Sequence, residues 1–191
     1  MNLGMQINKD LIGNLIILLA DRCRPLYHTK LVKLLFFIDQ EATITKGTPI
    51  TWLDYKAWRL GPVSPELYYS KNKGYNKFSR FVSFESSGNN NAYIVKPVKP
   101  FDDSEFSELD LEIIDGVIDR YGKLGTGVLV QLTHEKGTLW DKAVHDSDIR
   151  FGRDNQTSDK SLNFLELIDN DDYKKSVYYS TLENLELKST L

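Results

Sequence analysis

Residues 30–43 read KLVKLLFFIDQEAT. Leu31, Leu34, Leu35, Ile38 and Ala42 recur at i, i+3, i+4, i+7 and i+11, the spacing of one helix face, and Thr29 stands before them as an N-cap. Val32, Phe36 and Phe37 carry the apolar surface past a single stripe, so the helix is expected to be buried on more than one side. Lys30 and Lys33 share one side of it. Lysine stems cover apolar surface while their heads reach water, so both are expected as solvated edges, with a basic groove as the alternative. Gly47 and Pro49 end the segment.

Upstream, Asp10 is expected to cap a helix over Leu11–Ala20. Downstream, residues 53–67 read LDYKAWRLGPVSPEL. A short strand over Trp52–Leu60 runs into a Gly61-Pro62 turn; Ser64 fits N-cap, Pro65 N1 and Glu66 the first turn of a short helix to about Asn72. Phe78–Phe84 and Ala92–Lys96 predict a hairpin around a polar tip from Ser86 to Asn91. Ser107 and Asp110 form a capping-box pattern before Leu111, Ile114, Ile118 and Tyr121, with a stop at Gly122. Thr126 is expected to cap a helix reaching Leu132, Thr138 opens a short helix containing Trp140, Leu162–Ile168 forms one more, and Tyr173–Leu185 is ambiguous. The sum is an α+β, mainly α, chain: a helical domain over residues 1–150 with a small antiparallel β-sheet or hairpin at about 78–96, and a 151–191 extension packing on it.

A chain of 191 residues buries about 70% of its unfolded surface without staples. Cys23 is the only cysteine, which excludes an internal disulfide or a Cys-based zinc site. The apolar run Leu11–Ala20 spans ten residues, interrupted by Asn14 and flanked by Asp10, Asp21 and Arg22, too short and too charged for a signal peptide or a membrane span. A cytoplasmic protein that engages no membrane is expected. Residues 1–100 hold 14 Lys+Arg against 7 Asp+Glu, and residues 101–191 hold 10 against 20. The basic residues are dispersed, so attraction between the halves is the simpler account than attraction of an acidic partner.

Trp58 and Arg59 sit against the Gly61-Pro62 turn. Trp and Arg are frequent interface anchors, whereas the plain alternative is that Trp58 fills the core behind the turn. His134-Glu135 suggests a general base, but adjacent helical residues diverge, and His145 lies outside the His-Glu-x-x-His spacing. A histidine bonding the last carbonyls of its helix is the simpler reading. Lys71, Lys73, Lys77 and Arg80, interleaved with Tyr75 and Phe78, form the strongest nucleic-acid candidate, without a recognition helix to read bases. No metal, cofactor or catalytic constellation is expected.

Three separated blocks, KLVKLLFF, YKAWRLGPVSPELY and YGKL…LVQLTHEKGTLWDKA, resemble the Panacea domain, a SocA-like antitoxin domain found in phage and bacterial genomes. The matching positions are Lys33-Leu34-Leu35, Ala57-Trp58, Gly61-Pro62-Val63, Leu132-Thr133-His134 and Trp140 to Ala143, within residues 10–150. The chain departs from the pattern at Leu139, where the family often has proline, and at Asp39-Gln40, where an aromatic or small residue is common. The resemblance implies a mostly helical, non-enzymatic module that binds and neutralises a protein toxin, and in adaptor form presents it to a protease or chaperone. It makes Lys33, Trp58, Arg59, Gly61, Pro62, Val63, His134 and Trp140 the candidate partner-binding residues. A winged-helix-like nucleic-acid regulator and a hydrolase centred on His134 are the alternatives.

Overall fold

The computed structural model describes residues 7–88 and 92–189, so the tip residues Asn89, Asn90 and Asn91 lie outside the described residues. Helices α1 (Lys9–Arg22) and α2 (His28–Lys46) lead into a first antiparallel pair, β1 (Lys56–Trp58) and β2 (Gly61–Val63), and a five-residue helix α3 (Pro65–Tyr69). A second antiparallel pair follows, β3 (Val82–Ser86) and β4 (Tyr93–Pro97), in register from Val82↔Pro97 to Ser86↔Tyr93. Helices α4 (Glu108–Tyr121), α5 (Thr126–Thr133) and α6 (Leu139–Asp146), a 3-10 turn (Phe164–Leu167) and helix α7 (Asp172–Ser189) complete the order. The fold is α+β and mainly α, with both sheets small and antiparallel.

Helix α2 is the axis of the core. Leu31, Leu34, Leu35 and Ile38 are fully buried, and so are Val32, Phe36 and Phe37 on the other sides. It packs against α4, α5, α3, β2, β4 and the 3-10 turn. Phe37 stacks on Tyr121 of α4 at 4.5 Å, and Phe36 meets Tyr55 and Phe164 edge-on. Such enclosure removes the solvated edge expected for Lys30 and Lys33. Lys30 is 9% and Lys33 1% exposed, and each ammonium instead donates to a main-chain carbonyl, Gly122 O at 2.6 Å and Pro62 O at 2.9 Å.

Asp39, on the same helix, is wholly buried. Its carboxylate accepts from Ile50 N at 2.9 Å, Thr51 N at 2.8 Å, the Thr51 hydroxyl and the Tyr55 hydroxyl at 2.8 Å. Burial pushes its pKa up to about 6 against these four donors, and burial beside Asp39 holds the Tyr55 hydroxyl well above its usual range, so it remains a donor. The chain after α2 is thereby folded back onto it. Trp52, between the anchored Thr51 and Leu53, takes a left-handed φ of 54°, a cost the surrounding bonds absorb, and its ring rests on Tyr178 of α7.

Several boundaries differ from the sequence expectation for identifiable reasons. Asn8 rather than Asp10 caps α1, because its side chain reaches Asp10 N and Leu11 N. Helix α2 starts at His28 behind Tyr27, with no side-chain cap, so Thr29 lies inside it. The Trp52–Leu60 strand shrinks to Lys56–Trp58 because Asp39 holds the preceding segment as a turn. The short helix ends at Tyr69 rather than Asn72. Asn76 bonds Phe78 N and Val82 O, making a turn of residues assigned to the hairpin, so pairing begins at Val82. Gly125 caps α5, with Thr126 its first residue, and the expected last helix is a 3-10 turn. The capping box of α4 is present as Ser107 and Asp110, and Thr138 caps α6. Close packing also fixes Gly13: a Cβ there would collide with the Phe81 ring, 2.3 Å from its nearest carbon.

Replacing Asp39 by Ala leaves two buried amides without an acceptor, at about 1–3 kcal/mol each. Asp39→Ala is expected to lower Tm by about 4 °C or more, on the usual conversion for a domain of this size. A Tm equal to that of the wild type would remove Asp39 from this role.

Candidate functional site

The β1–β2 connection is a tight turn, with Trp58 opposite Gly61 and Arg59-Leu60 at the tip. Three carbonyls of this short stretch are taken by side chains from three different elements. Trp140 Nε1 of α6 donates to Trp58 O at 2.8 Å. His134 Nε2, at the end of α5, meets Arg59 O at 3.0 Å. Lys33 Nζ of α2 donates to Pro62 O at 2.9 Å. The 151–191 segment closes the remaining side: Arg59 N donates to Gln156 O and Ala57 N to Lys160 O, both at 2.9 Å, and Ser158 Oγ donates to Ala57 O.

Gly61 is required at this junction. Its φ is +93°, and a Cβ would overlap Thr133 Oγ1 and lie 2.8 Å from Lys33 Nζ. Thr133 is itself tied to its helix, its hydroxyl donating to Val130 O at 2.7 Å. His134 places Nδ1 2.6 Å from the same carbonyl, and its ring lies 3.8 Å from that of Trp140. Both imidazole nitrogens therefore face main-chain carbonyls rather than open space, the helix-end role that its position suggests. Pro62 and Val63 are buried.

Beside the turn lies a cavity of about 310 Å³. Val32 and Val63 give it an apolar wall, and Trp58 and Tyr68 an aromatic one. The two rings meet edge to face, 4.9 Å apart at 71°. Trp58 is half-buried, so it both packs behind the turn and faces the cavity. Three cations also line the cavity: Lys33, Arg59 and Lys71, the last with its ammonium 3.8 Å above the Tyr68 ring. Burial alone lowers the Lys33 pKa to about 7.

All eight candidate residues thus gather at one turn: Lys33, Trp58, Arg59 and Val63 line the cavity, Gly61 and Pro62 form the turn, and His134 and Trp140 clasp it from behind. Tyr68 and Lys71 also belong to the cavity. Tyr68 had a signal, since it follows Leu67 on the helix that Ser64-Pro65-Glu66 opens, but Lys71 was grouped with the basic stretch after it. That stretch does not form one basic face. Phe78 is fully buried, Lys77 pairs with Glu66 and Arg80 with Asp10. Among the described residues no cluster of three or more His, Cys, Asp or Glu side chains has metal-binding geometry, and no helix is long and apolar enough to cross a membrane.

A family model described as Antitoxin SocA-like, Panacea domain, matches residues 31–141, a span that begins in α2 and ends in α6 and so contains the turn together with Lys33, His134 and Trp140. The chain belongs to this Panacea family. It is similar to Antitoxin SocA of Caulobacter vibrioides (strain NA1000 / CB15N), 25% identical over 138 residues, which are 72% of this chain and 70% of that protein. No solved structure matches it. In this Panacea domain the family's separated blocks are neighbours in space because each supplies a donor to, or a strand of, the same turn.

Two measurements check the clasp. Gly61→Ala is expected to destabilise the domain by roughly 2 kcal/mol or more, from the left-handed backbone and the collision with Thr133. Thr133→Ala in the same chain should return part of that loss in urea unfolding; strict additivity of the two substitutions would refute the contact. Lys33 predicts a pH dependence. Its folded pKa of about 7 lies below the ordinary 10.5, so the unfolded chain binds the extra proton between these values and stability rises with pH across that window. At 1.36 kcal/mol per unit the rise is on the order of 4 kcal/mol. Lys33→Met is expected to flatten the stability profile between pH 7 and 10 relative to wild type; parallel profiles would contradict the buried-ammonium geometry.

Proposed function

We propose that this chain is a non-enzymatic antitoxin that binds a protein toxin through the face around the β1–β2 turn and covers the toxin's functional surface. The carrying observation is that the match to the SocA-like antitoxin family, over residues 31–141, encloses a clasped turn whose tip residues Arg59 and Leu60 project to solvent beside an open cavity. A turn held by side chains from α2, α5 and α6 is a rigid platform, and rigid platforms lose little entropy on association. The relative named Antitoxin SocA supports the same reading. Under it the pair acts in the bacterial cytoplasm.

His134 offers little to a hydrolase, since both its nitrogens face carbonyls, and the 71–80 segment offers little to DNA, since two of its cations are paired with carboxylates. The test is co-expression with the product of the adjacent gene. Rescue of growth and a complex that survives size-exclusion chromatography are expected; neither rescue nor complex would reject the reading. The same cells separate two modes of action. Under a blocking antitoxin, toxin levels stay constant, whereas under an adaptor that delivers the toxin to a protease they fall.

A further inference from the structure

We infer that the cavity beside the β1–β2 turn is the recognition pocket for an acidic segment of the toxin, taking an Asp or Glu side chain together with a neighbouring aliphatic residue. The inference rests on the antitoxin reading and adds the chemistry of the contact.

The lining divides into two parts. Val32, Val63 and Trp58 supply an apolar wall, and Lys33, Arg59 and Lys71 supply three basic side chains around about 310 Å³, the amine of Lys33 being pushed toward its neutral form by burial. Among the described residues none of these three cations is paired with a carboxylate. Lys33 Nζ donates to Pro62 O, Arg59 Nη1 to Gln156 Oε1 at 3.1 Å, and Lys71 rests on Tyr68. An ammonium has three donors, and only a main-chain carbonyl meets that of Lys33, a group 1% exposed. Other basic side chains nearby are met by acids, Lys77 by Glu66 and Lys56 by Asp54. Three neighbouring basic groups with neutral partners around one concavity are complementary to an incoming carboxylate, and Arg59 brings the planar fork that binds carboxylates best.

The aromatic geometry favours an acidic peptide over a nucleotide. Trp58 and Tyr68 stand edge to face, so they form no parallel slot for a base, and the Lys71 ammonium already covers a face of Tyr68. The valine wall suits an aliphatic side chain next to the acid. The volume sits at the low end of ligand sites, room for one or two side chains.

The experiment measures affinity between the whole chain and the co-expressed product of the adjacent gene by calorimetry. Arg59→Glu with Lys71→Glu is expected to weaken the complex by ~100-fold or more, at unchanged Tm. The control Lys9→Glu with Lys123→Glu, exposed cations outside the cavity, is expected to stay within ~3-fold. Wild-type affinity in the pocket variant overturns the inference while the antitoxin reading stands. An equal loss in pocket and control variants also overturns it, since charge in general would then account for binding. If the wild-type chain neither binds nor protects, the antitoxin reading itself fails. Titration of the free wild-type chain with AMP, followed by tryptophan fluorescence, is expected to show no saturation; saturable AMP binding abolished by the pocket variant would overturn the peptide assignment.

Discussion

A helix segment buried on every side cannot leave a charged side chain unpartnered, and the buried stretch 30–39 of α2 carries three of them into the core. Lys30, Lys33 and Asp39 are all buried, and each is met by backbone or hydroxyl groups of a neighbouring segment rather than by an opposite charge. Lys30 fixes the end of α4 at Gly122, Lys33 fixes the β1–β2 turn at Pro62, and Asp39 fixes the chain at Ile50 and Thr51. One helix therefore determines where three otherwise irregular stretches lie. The apolar residues between these charges supply the hydrophobic drive, and the charges supply position. An apolar residue at any of the three sites would keep the burial but leave carbonyls or amides of a loop without partners.

This arrangement explains how a short two-stranded pair becomes a platform. Two strands of three residues are marginal alone. Here their connecting stretch is bonded from α2, α5 and α6, and by residues 156–160 along the outer edge of β1. The surface it offers is rigid, and the side chains it exposes are few. The 151–191 segment takes part in this. Its backbone continues the small sheet, Leu162 and Phe164 enter the core, and Tyr178 supports Trp52.

The fold was legible where one local rule acts without competition. The period of KLVKLLFF, the Ser107–Asp110 capping box, Thr138 and the Ser64-Pro65 helix start each follow from short-range geometry. The lysines of α2 were misplaced because snorkelling assumes a solvent-facing edge, and only the packing of α4, α5 and β2 around the helix removes it. Asp39 carried no sequence signal, because its partners are the amides of residues 50 and 51, which every sequence possesses. The candidate residues were legible as a set, through the family's blocks, and their arrangement in space was not. Nothing in the order of Lys33, Trp58, His134 and Trp140 along the chain says that three of them bond the same turn.

The character of those bonds decides what the turn can vary. Lys33, His134 and Trp140 reach carbonyl oxygens, and the carbonyls of Gln156 and Lys160 accept from the amides of Arg59 and Ala57, so the clasp is made mainly to backbone. At Gly61 the side chain is constrained, since any Cβ meets Thr133. At Arg59 and Leu60 it is not: both are exposed, and Arg59 meets His134 and the Gln156 carbonyl through its peptide groups, adding one exposed side-chain bond to Gln156 Oε1. Substituting them changes the charge and shape of the cavity rim and removes at most the exposed Arg59–Gln156 side-chain bond, leaving the backbone bonds in place. The side chains of Lys33, His134 and Trp140 thus hold the backbone of the turn, while those of Arg59 and Leu60 stay in solvent.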